Sequence, residues 1–416
     1  MKNRRNYILG ILLGGASILL MGCVNSLLDQ IPTTELGNTE FWQTEEDATN
    51  GLMGAYADVR GLFSRDYYFD GQGEYVRVRD GSGSLSNTTT NITQGAAYKG
   101  GCYFPDPSYR FGAKFDTYYK FCYGGIHRVN YVIENTLKMI PNAKTEESKK
   151  KLETVIGEAR LLRGMIYFRL ISMWGDVPYI DHVVYNQTEM DKIVRTSIAK
   201  IKDYIIEDFN YAFEKLPVKS EQIGRASKPA ALAFKGKLEL YWACWNHFGW
   251  PELDTFTPSE EEARKAYKAA ADDFHAVIND YGLNLFRNGE PGEWGELGDA
   301  NVLPNYFYLF LPTTGNVNTD GEIIFAFTHG GPGTGQGESL MRDFAGRNIQ
   351  NSQCWVTPTF RLADRYQSTV TGDFTDPLIP MNPNAPNART TKNSAVNPES
   401  YLNRDYRMKA SMLWDY

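Results

Sequence analysis

Hydrophobic residues recur at helical spacing in one segment after another between residues 44 and 282, and this pattern restricts the fold more than any other feature of the chain. Residues three or four positions apart lie on one face of a helix, so each segment presents an apolar stripe to a core. The chain has 416 residues, of which 42% are hydrophobic, and this suffices for a large core. The sequence therefore predicts an all-α scaffold whose successive antiparallel helices stack in pairs as a solenoid.

Capping residues and prolines mark the limits of these helices. Thr44 with Asp47, and Ser259 with Glu262, have the spacing of capping boxes, which begin helices. Pro217 ends another segment because proline cannot continue a helix. We expect helices over about 44–63, 111–140, 146–174, 191–216, 227–246 and 259–281.

Two parts of the chain lack the helical pattern. Residues 64–110 are rich in Gly, Ser, Asn and Thr with scattered tyrosines, and loops of that length usually carry function. Residues 283–416 are interrupted by Gly and Pro, with a strand-like run at Glu322–Thr328 and a short helical stretch at Pro358–Tyr366. We expect the first part to be a loop excursion from a scaffold formed by 44–282, and the second an irregular, loop-rich lobe.

The N-terminus has the pattern of a bacterial lipoprotein signal. Basic residues at positions 2, 4 and 5 precede an uncharged apolar run over 7–20, which is short for a bilayer-spanning helix. Leu20-Met21-Gly22-Cys23 then follows the lipobox pattern, with a small residue before the cysteine. We predict a signal peptide over 1–22, acyl chains such as palmitate on Cys23, and a lipidated tether over 23–43. More than one acyl chain on a single residue gives stable anchoring.

Charge and cysteine spacing exclude several classes of function. The net charge of −7 gives no general attraction to nucleic acid. The cysteines after Cys23 match no zinc pattern, and an exported protein permits a Cys102–Cys122 disulfide that the sequence leaves open. Cys244 and His247 are spaced to share a helix face, but two ligands do not make a metal site. We therefore predict no metal and no cofactor.

Catalytic motifs are also missing. The glycine-rich run 330–337 resembles a phosphate-binding loop but lacks its lysine and its Ser or Thr. Neither a nucleophile elbow nor a zinc-protease motif occurs, and no carboxylate pair stands in a recognisable glycosidase motif. Glu158, Arg160 and Arg163 lie among apolar residues of the third helix, where we expect ion pairs between neighbouring helices. The sequence predicts no catalytic residue and a protein that is not an enzyme.

The same third helix carries a resemblance to a known family. Its sequence, running into a Gly-Asp-Val-Pro turn, resembles the signature of SusD/RagB outer-membrane nutrient-binding lipoproteins. The signature helix is Ala-Glu-x-x-Phe-Leu-Arg-Ala-like, and Leu162 and Gly164 stand where variants of this motif differ. Softer similarities follow in family order along nearly the whole chain, up to Asn403-Arg404-Asp405 with Arg407. Family members usually continue well beyond that last motif, whereas this sequence stops at Tyr416, so the resemblance favours an incomplete C-terminal region. The residues that match the signature are Glu158, Ala159, Arg163, Tyr167, Phe168, Gly175, Asp176, Val177 and Pro178.

The resemblance implies a fold, a location and partners. It implies tetratricopeptide-like helical pairs in a superhelical scaffold, anchored at the outer membrane and facing the cell exterior. It also implies binding of oligo- or polysaccharide and delivery to a SusC-like TonB-dependent transporter. Two alternatives stay open: a lipoprotein that caps a transporter for nutrients other than glycans, and a surface glycan hydrolase. The sequence does not name the glycan.

A glycan platform is expected on irregular segments, because helix aromatics are needed for packing. Tyr98 stands among small and polar residues of the excursion, and Trp294 lies in a run rich in Gly and Glu. Tyr306 follows Pro304-Asn305, and the Asn305 amide is suited to hydrogen bonding with a sugar hydroxyl. We predict Tyr98, Trp294, Asn305 and Tyr306 as ligand-binding residues; the alternative for each is a loop anchor packed on the scaffold.

Overall fold

The computed structural model describes much of the helical region and parts of the C-terminal region. The described residues are 41–64, 66, 75–78, 115–220, 222–294, 302–311, 321–329, 340–346, 349, 352–354, 356–358, 360–372, 387 and 401–412. The predicted signal peptide, the lipidation site Cys23, most of the 64–110 excursion with Tyr98 and Cys102, and the 330–337 run lie outside these residues.

Long helices form the scaffold and short elements connect them. The long helices are α1 (Glu45–Phe63), α2 (Phe115–Met139), α3 (Glu146–Trp174), α5 (Ile198–Lys215), α6 (Lys228–Phe248) and α7 (Glu260–Asn279). The short helices are α4 (Gln187–Met190), α8 (Asn305–Leu309), α9 (Leu340–Phe344), α10 (Phe360–Ala363) and α11 (Arg407–Ser411), with 3-10 turns at Ile140–Asn142 and Phe286–Gly289. The strands are β1 (Val76–Val78), β2 (Val177–Pro178), β3 (Arg195–Thr196) and β4 (Val356–Pro358).

Each long helix packs against the next one along the chain. Helix α1 contacts α2, α2 contacts α3, α3 contacts α5, and α5 and α7 both contact α6. Their inward stripes share one core, in which Leu52, Tyr167 and Phe209 are fully buried. The predicted all-α scaffold of stacked helix pairs is confirmed.

Local signals set most of the helix limits. Thr44 and Asp47 form the predicted capping box, with each side chain accepting the other residue's backbone N–H. Helix α3 spans the predicted residues, and Gly249 in the left-handed region ends α6. At α7 the Ser259 hydroxyl accepts from the backbone N–H of Glu262, as the capping spacing indicates.

The fourth predicted helix begins seven residues too early. Helix α5 starts at Ile198 because the preceding residues Arg195–Thr196 form β3, which pairs antiparallel with β2. The Asp176 carboxylate, from the turn after α3, accepts the backbone N–H of Ile198 at 2.7 Å. The N-terminus of this helix is therefore capped by a residue remote in sequence, which periodicity cannot detect.

The strand-like run predicted at Glu322–Thr328 does not form a hydrogen-bonded strand with the described residues. This run is extended but belongs to neither of the sheets formed by the described residues. Its side chains do alternate, and Phe325 and Phe327 pack on the helices: the Phe327 ring lies 6.0 Å from that of Phe63, and the Phe325 ring 5.9 Å from that of Phe234. A hydrophobic period of two residues indicates which side of an extended segment each side chain faces, but it does not indicate whether the segment is hydrogen-bonded to another strand. The helical stretch predicted at Pro358–Tyr366 is shortened to α10, because Pro358 belongs to β4, which pairs with β1.

The charged residues of α3 form the predicted ion pairs between helices. Arg163 donates to both carboxylate oxygens of Asp208 on α5, at 2.8 and 2.7 Å. The Glu158 carboxylate binds Arg225 and accepts the Tyr56 hydroxyl at 2.7 Å. That hydroxyl in turn accepts the backbone N–H of Ala226. These contacts join α1, α3, α5 and the segment that leads into α6.

None of the described helices combines the length and apolar character that crossing a bilayer requires.

Candidate ligand-binding surface

Two of the predicted ligand residues, Trp294 and Tyr306, approach the same C-terminal segment. The Trp294 ring lies 5.5 Å from the Tyr406 ring, tilted by 30°. Helix α8, which carries Tyr306, contacts α11, which begins directly after Tyr406. The Lys409 ammonium donates to the backbone carbonyls of Trp294 and Val302, so one side chain holds this loop against α11.

Two partly exposed ring pairs on these neighbouring segments make up what we call the aromatic patch: Trp294 with Tyr406, and Tyr306 with Phe310. The Phe310 ring packs edge-on against Tyr306 at 5.1 Å. Trp294 is 37% exposed and Phe310 67% exposed, whereas Tyr306 and Tyr406 are half-buried. Large rings left exposed on an anchored backbone can provide flat faces for a ligand.

Asn305 fixes the backbone beneath the patch. Its side-chain oxygen accepts from Arg287 at 2.7 Å, and its side-chain nitrogen donates to the Glu290 carbonyl at 2.8 Å. Gly292 has φ +68°, and a Cβ there would lie 2.9 Å from the Asn305 side chain, so the turn closes directly on this amide. The structure places Asn305 as a clamp within the loop, and its predicted hydrogen bond to a sugar hydroxyl stays a prediction.

Arg287 adds a second clamp on the same turn. Its guanidinium lies over the rings of Phe286 and Tyr308, 5.0 and 4.9 Å from their centroids. Cation–π contacts of this kind hold a side chain against aromatic faces. The turn before the patch is therefore tied to α8 through both Asn305 and Arg287.

The charges beside the patch are paired. The Arg407 guanidinium contacts both oxygens of Asp405, at 3.0 and 2.6 Å, and its backbone N–H also donates to that carboxylate. Partial burial alone would raise the pKa of Asp405, but these hydrogen bonds lower it below its ordinary value. The Asp405 carboxylate, in turn, raises the pKa of Arg407.

Burial also acts on the Tyr306 hydroxyl. It raises the pKa of that phenol, and the neighbouring Tyr366, Glu322 and Asp405 raise it further, while Arg407 acts in the opposite direction. Tyr306 is therefore neutral at physiological pH and able to donate a hydrogen bond.

The sequence indicated part of this surface. It singled out Trp294 and Tyr306, which converge, whereas Tyr98 lies outside the described residues. It missed Phe310 and Tyr406. Tyr406 directly follows the Asn403-Arg404-Asp405 motif that resembles the family, and this position is the sequence signal that could have indicated it.

Cys244 and His247, which are spaced to share a helix face, each contact a neighbouring side chain of the protein. The Cys244 sulfur accepts from the Tyr267 hydroxyl at 3.6 Å, and the His247 ring lies 3.2 Å from the Glu260 carboxylate. Within the described ranges, no group of three or more His, Cys, Asp or Glu side chains is arranged to hold a metal ion. Cys122 is fully buried, and burial raises the pKa of its thiol to about 12.

Comparison with known proteins identifies the relatives of this chain. A family model described as SusD-like, starch-binding and associating with the outer membrane matches residues 79–240. A SusD-like protein of Bacteroides ovatus is 26% identical over 282 residues, which are 67% of this chain and 46% of the relative. A second SusD-like protein, from Formosa agariphila, is 26% identical over 230 residues, 54% of this chain and 41% of that protein.

In these comparisons the chain is similar to the SusD/RagB family. It spans about half the length of the curated relatives it matches. Two solved SusD-like structures from Bacteroides fragilis share its fold. One, described as a carbohydrate-binding protein, has a TM-score of 0.57 at 21% identity and covers 89% of this chain and 60% of its own. The other has a TM-score of 0.61 at 19% identity, with 92% and 62% covered. The tetratricopeptide-like scaffold is thus a SusD/RagB fold.

Proposed function

We propose that this SusD/RagB protein binds glycans at the cell surface through the aromatic patch. The observation that carries the proposal is the exposed Trp294 ring beside Tyr406, on a loop that Lys409 and Asn305 anchor to its neighbours. The C–H faces of a pyranose pack on aromatic planes, while its hydroxyls exchange hydrogen bonds with nearby polar groups. The family description and the carbohydrate-binding relative of the same fold support a sugar as the ligand.

Binding fits the patch better than catalysis does. A glycosidase needs a carboxylic acid with a raised pKa beside a second carboxylate. Asp405 is held by Arg407 in two contacts, and its pKa is lowered. This carboxylate is therefore suited to orienting Arg407 and poorly suited to donating a proton to a leaving group.

The decisive experiment measures binding by affinity electrophoresis and calorimetry on the purified full chain. Trp294→Ala and Tyr306→Ala should each weaken binding about tenfold or more, because ring stacking contributes roughly 1–3 kcal/mol, with base stacking as the nearest analogue. Tyr98→Ala tests the excursion in the same way. Phe248→Ala is the matched control, since Phe248 is an aromatic residue that is 73% exposed at the end of α6 and is not part of the patch.

The outcomes separate the candidate functions. Retardation by a glycan without product release supports binding, whereas release of shorter sugars would identify a hydrolase. If all three aromatic variants bind as the wild type does and keep its melting temperature, the patch is not the glycan site. If no glycan binds, capping of a transporter for other nutrients becomes the better proposal.

The location and the transporter partner are also part of the proposal. The lipobox ending at Cys23 supports an acyl anchor in the outer membrane, and the family description supports association with that membrane. Cys23→Ala should leave the precursor unlipidated and remove it from the membrane fraction. Unchanged outer-membrane recovery of this variant would contradict the anchor.

Delivery to a SusC-like TonB-dependent transporter is tested by co-purification from membranes. A tagged chain should retain a TonB-dependent barrel protein after mild detergent extraction, and deleting that barrel should abolish glycan uptake without abolishing glycan binding. Recovery of the chain without any barrel protein would contradict a stable complex.

A further inference from the structure

The described cations at the aromatic patch are all engaged by groups of the protein itself. The Arg407 guanidinium is occupied by Asp405 through two of its nitrogens. The Lys409 ammonium donates to the backbone carbonyls of Trp294 and Val302. Arg287 donates to Asn305, and aromatic rings cover its guanidinium.

Carboxylates outnumber these cations around the same rings. Glu290 and Glu293 are exposed in the loop that leads to Trp294, and Glu293 directly precedes the indole. Glu322 accepts the backbone N–H of Phe286 beneath the loop, and Asp405 lies beside Arg407. Among the described residues around these rings, four carboxylates therefore stand against the three engaged cations.

We propose that the aromatic patch selects uncharged glycans and discriminates against glycans that carry uronate or sulfate groups, with Asp405 as the residue that sets this preference. The inference rests on the proposed glycan-binding function. A guanidinium fork is the usual partner of carboxylate and sulfate groups, since it matches both of their oxygens. At this patch Asp405 already occupies the Nε and Nη2 edge of Arg407. A ligand anion that bound the same edge would displace Asp405 and leave the protein carboxylate without its partner.

The first test compares neutral and anionic polymers on the wild-type chain. Soluble starch, xylan, galactomannan and xyloglucan form the neutral set, and polygalacturonate, alginate and chondroitin sulfate form the anionic set. We expect at least one neutral polymer to bind with an affinity that is nearly unchanged between about 20 and 300 mM NaCl, because no charge is neutralised. We expect no retardation by the anionic set.

The second test frees Arg407. Asp405→Asn keeps an oxygen that can accept the Arg407 backbone N–H but removes the charge that occupies the guanidinium. This variant should gain affinity for polygalacturonate by at least about tenfold at low salt, and the gain should fall as salt rises. Adding Arg407→Gln to it should abolish the gain, which locates the new anion contact at Arg407.

Asp272→Asn is the matched control. It removes the same charge from an exposed carboxylate on α7 that pairs with Lys268 at 2.6 Å. This control changes the net charge of the chain equally, and it should gain no affinity for polygalacturonate.

Each result bears on the inference. Salt-sensitive binding of the wild type to an anionic polymer would overturn it while leaving glycan binding intact. A folded Asp405→Asn variant that gains no more than the Asp272→Asn control would overturn the role of Asp405. If the wild type binds neither set, the proposed function itself fails, and the preference for uncharged glycans fails with it.

Discussion

Replacing Arg163 with Ala should lower the free energy of unfolding of the scaffold without weakening glycan binding. Arg163 is 3% exposed at the interface of α3 and α5, and its partner Asp208 is 2% exposed. Its guanidinium also donates to the Asn130 side-chain oxygen at 2.9 Å and to the Asp181 carbonyl at 3.0 Å. One side chain therefore satisfies acceptors from α2, from α5 and from the loop after β2.

The magnitude follows from what the substitution leaves behind. Removing one partner of a buried ion pair costs about 3–5 kcal/mol, mainly because the other charge stays buried without compensation. Arg160 lies 3.6 Å from the same Asp208 oxygen and is 31% exposed, so it offsets part of this cost. We expect the free energy of unfolding to fall by about 3 kcal/mol, near the lower end of that range.

Urea denaturation followed by circular dichroism measures this loss, and calorimetry well below the transition measures glycan binding. A matched double variant, Arg163→Met with Asp208→Leu, removes both charges and keeps apolar volume. It should recover part of the lost stability, since replacing a buried pair by apolar residues is often close to neutral, while the Asn130 and Asp181 oxygens still lose their donor. Lys in place of Arg163 should give an intermediate loss, because an ammonium cannot contact both carboxylate oxygens and Asn130 with the same geometry.

An Arg163→Ala chain with the wild-type denaturation midpoint and lost glycan binding would mean that Arg163 serves the ligand and not the frame. A double variant that is less stable than the single variant would show that the pair is strongly favourable in itself, contrary to the argument from the unpaired charge.

Two further substitutions test the packing of the scaffold. Burial raises the pKa of Glu239 on α6 to about 7, so the free energy of unfolding of the wild type should fall by up to about 3 kcal/mol as pH rises from 5 to 8. The Glu239→Gln variant should not show this fall, whereas a Glu261→Gln control at an exposed position should show it as the wild type does. A Cβ on Gly164 would lie 2.5 Å from the Phe209 ring, so Gly164→Ala should destabilise the protein by about 1–3 kcal/mol despite the higher helix propensity of Ala. Gly54→Ala is the control, because it has open space at its Cβ and should stabilise by about 0.5–1 kcal/mol. Equal denaturation midpoints for the two variants would contradict this prediction.

The helical scaffold could be predicted because its signals are local. The stripe of α1, its capping box at Thr44 and the limits of α3 depend on residues a few positions apart, and the structure has them as predicted. The start of α5 could not be predicted, because Asp176 reaches it across β2 and β3. The extended run at Glu322–Thr328 is a second example. Its alternating pattern could be read from the sequence, but the sequence does not show whether a neighbouring strand pairs with it.

The aromatic patch could be predicted only in part for a related reason. Trp294 stands among Gly and Glu residues, so local sequence indicated an exposed ring, and the ring is 37% exposed. Its neighbour Tyr406 lies more than a hundred residues away, and their contact depends on Lys409 binding the loop carbonyls. Asn305 was chosen for its hydrogen-bonding groups, yet the positive φ of Gly292 brings the turn onto that amide. Backbone geometry of this kind decides whether a polar side chain faces a ligand or its own loop.

Adjacent positions on α3 show why one residue of the family motif is kept here and its neighbour is not. Arg163 must satisfy Asp208, Asn130 and the Asp181 carbonyl together, and no other side chain offers a charged planar fork of that reach. Position 164 faces the Phe209 ring, and a Cβ there would lie 2.5 Å from its nearest ring atom. The Ala of the motif would therefore require the Phe209 ring to move, which couples the residue at 164 to the aromatic side chain at 209. The departure from the motif at this position follows from the volume of a core aromatic, and it leaves the ion pair that joins the helices unchanged.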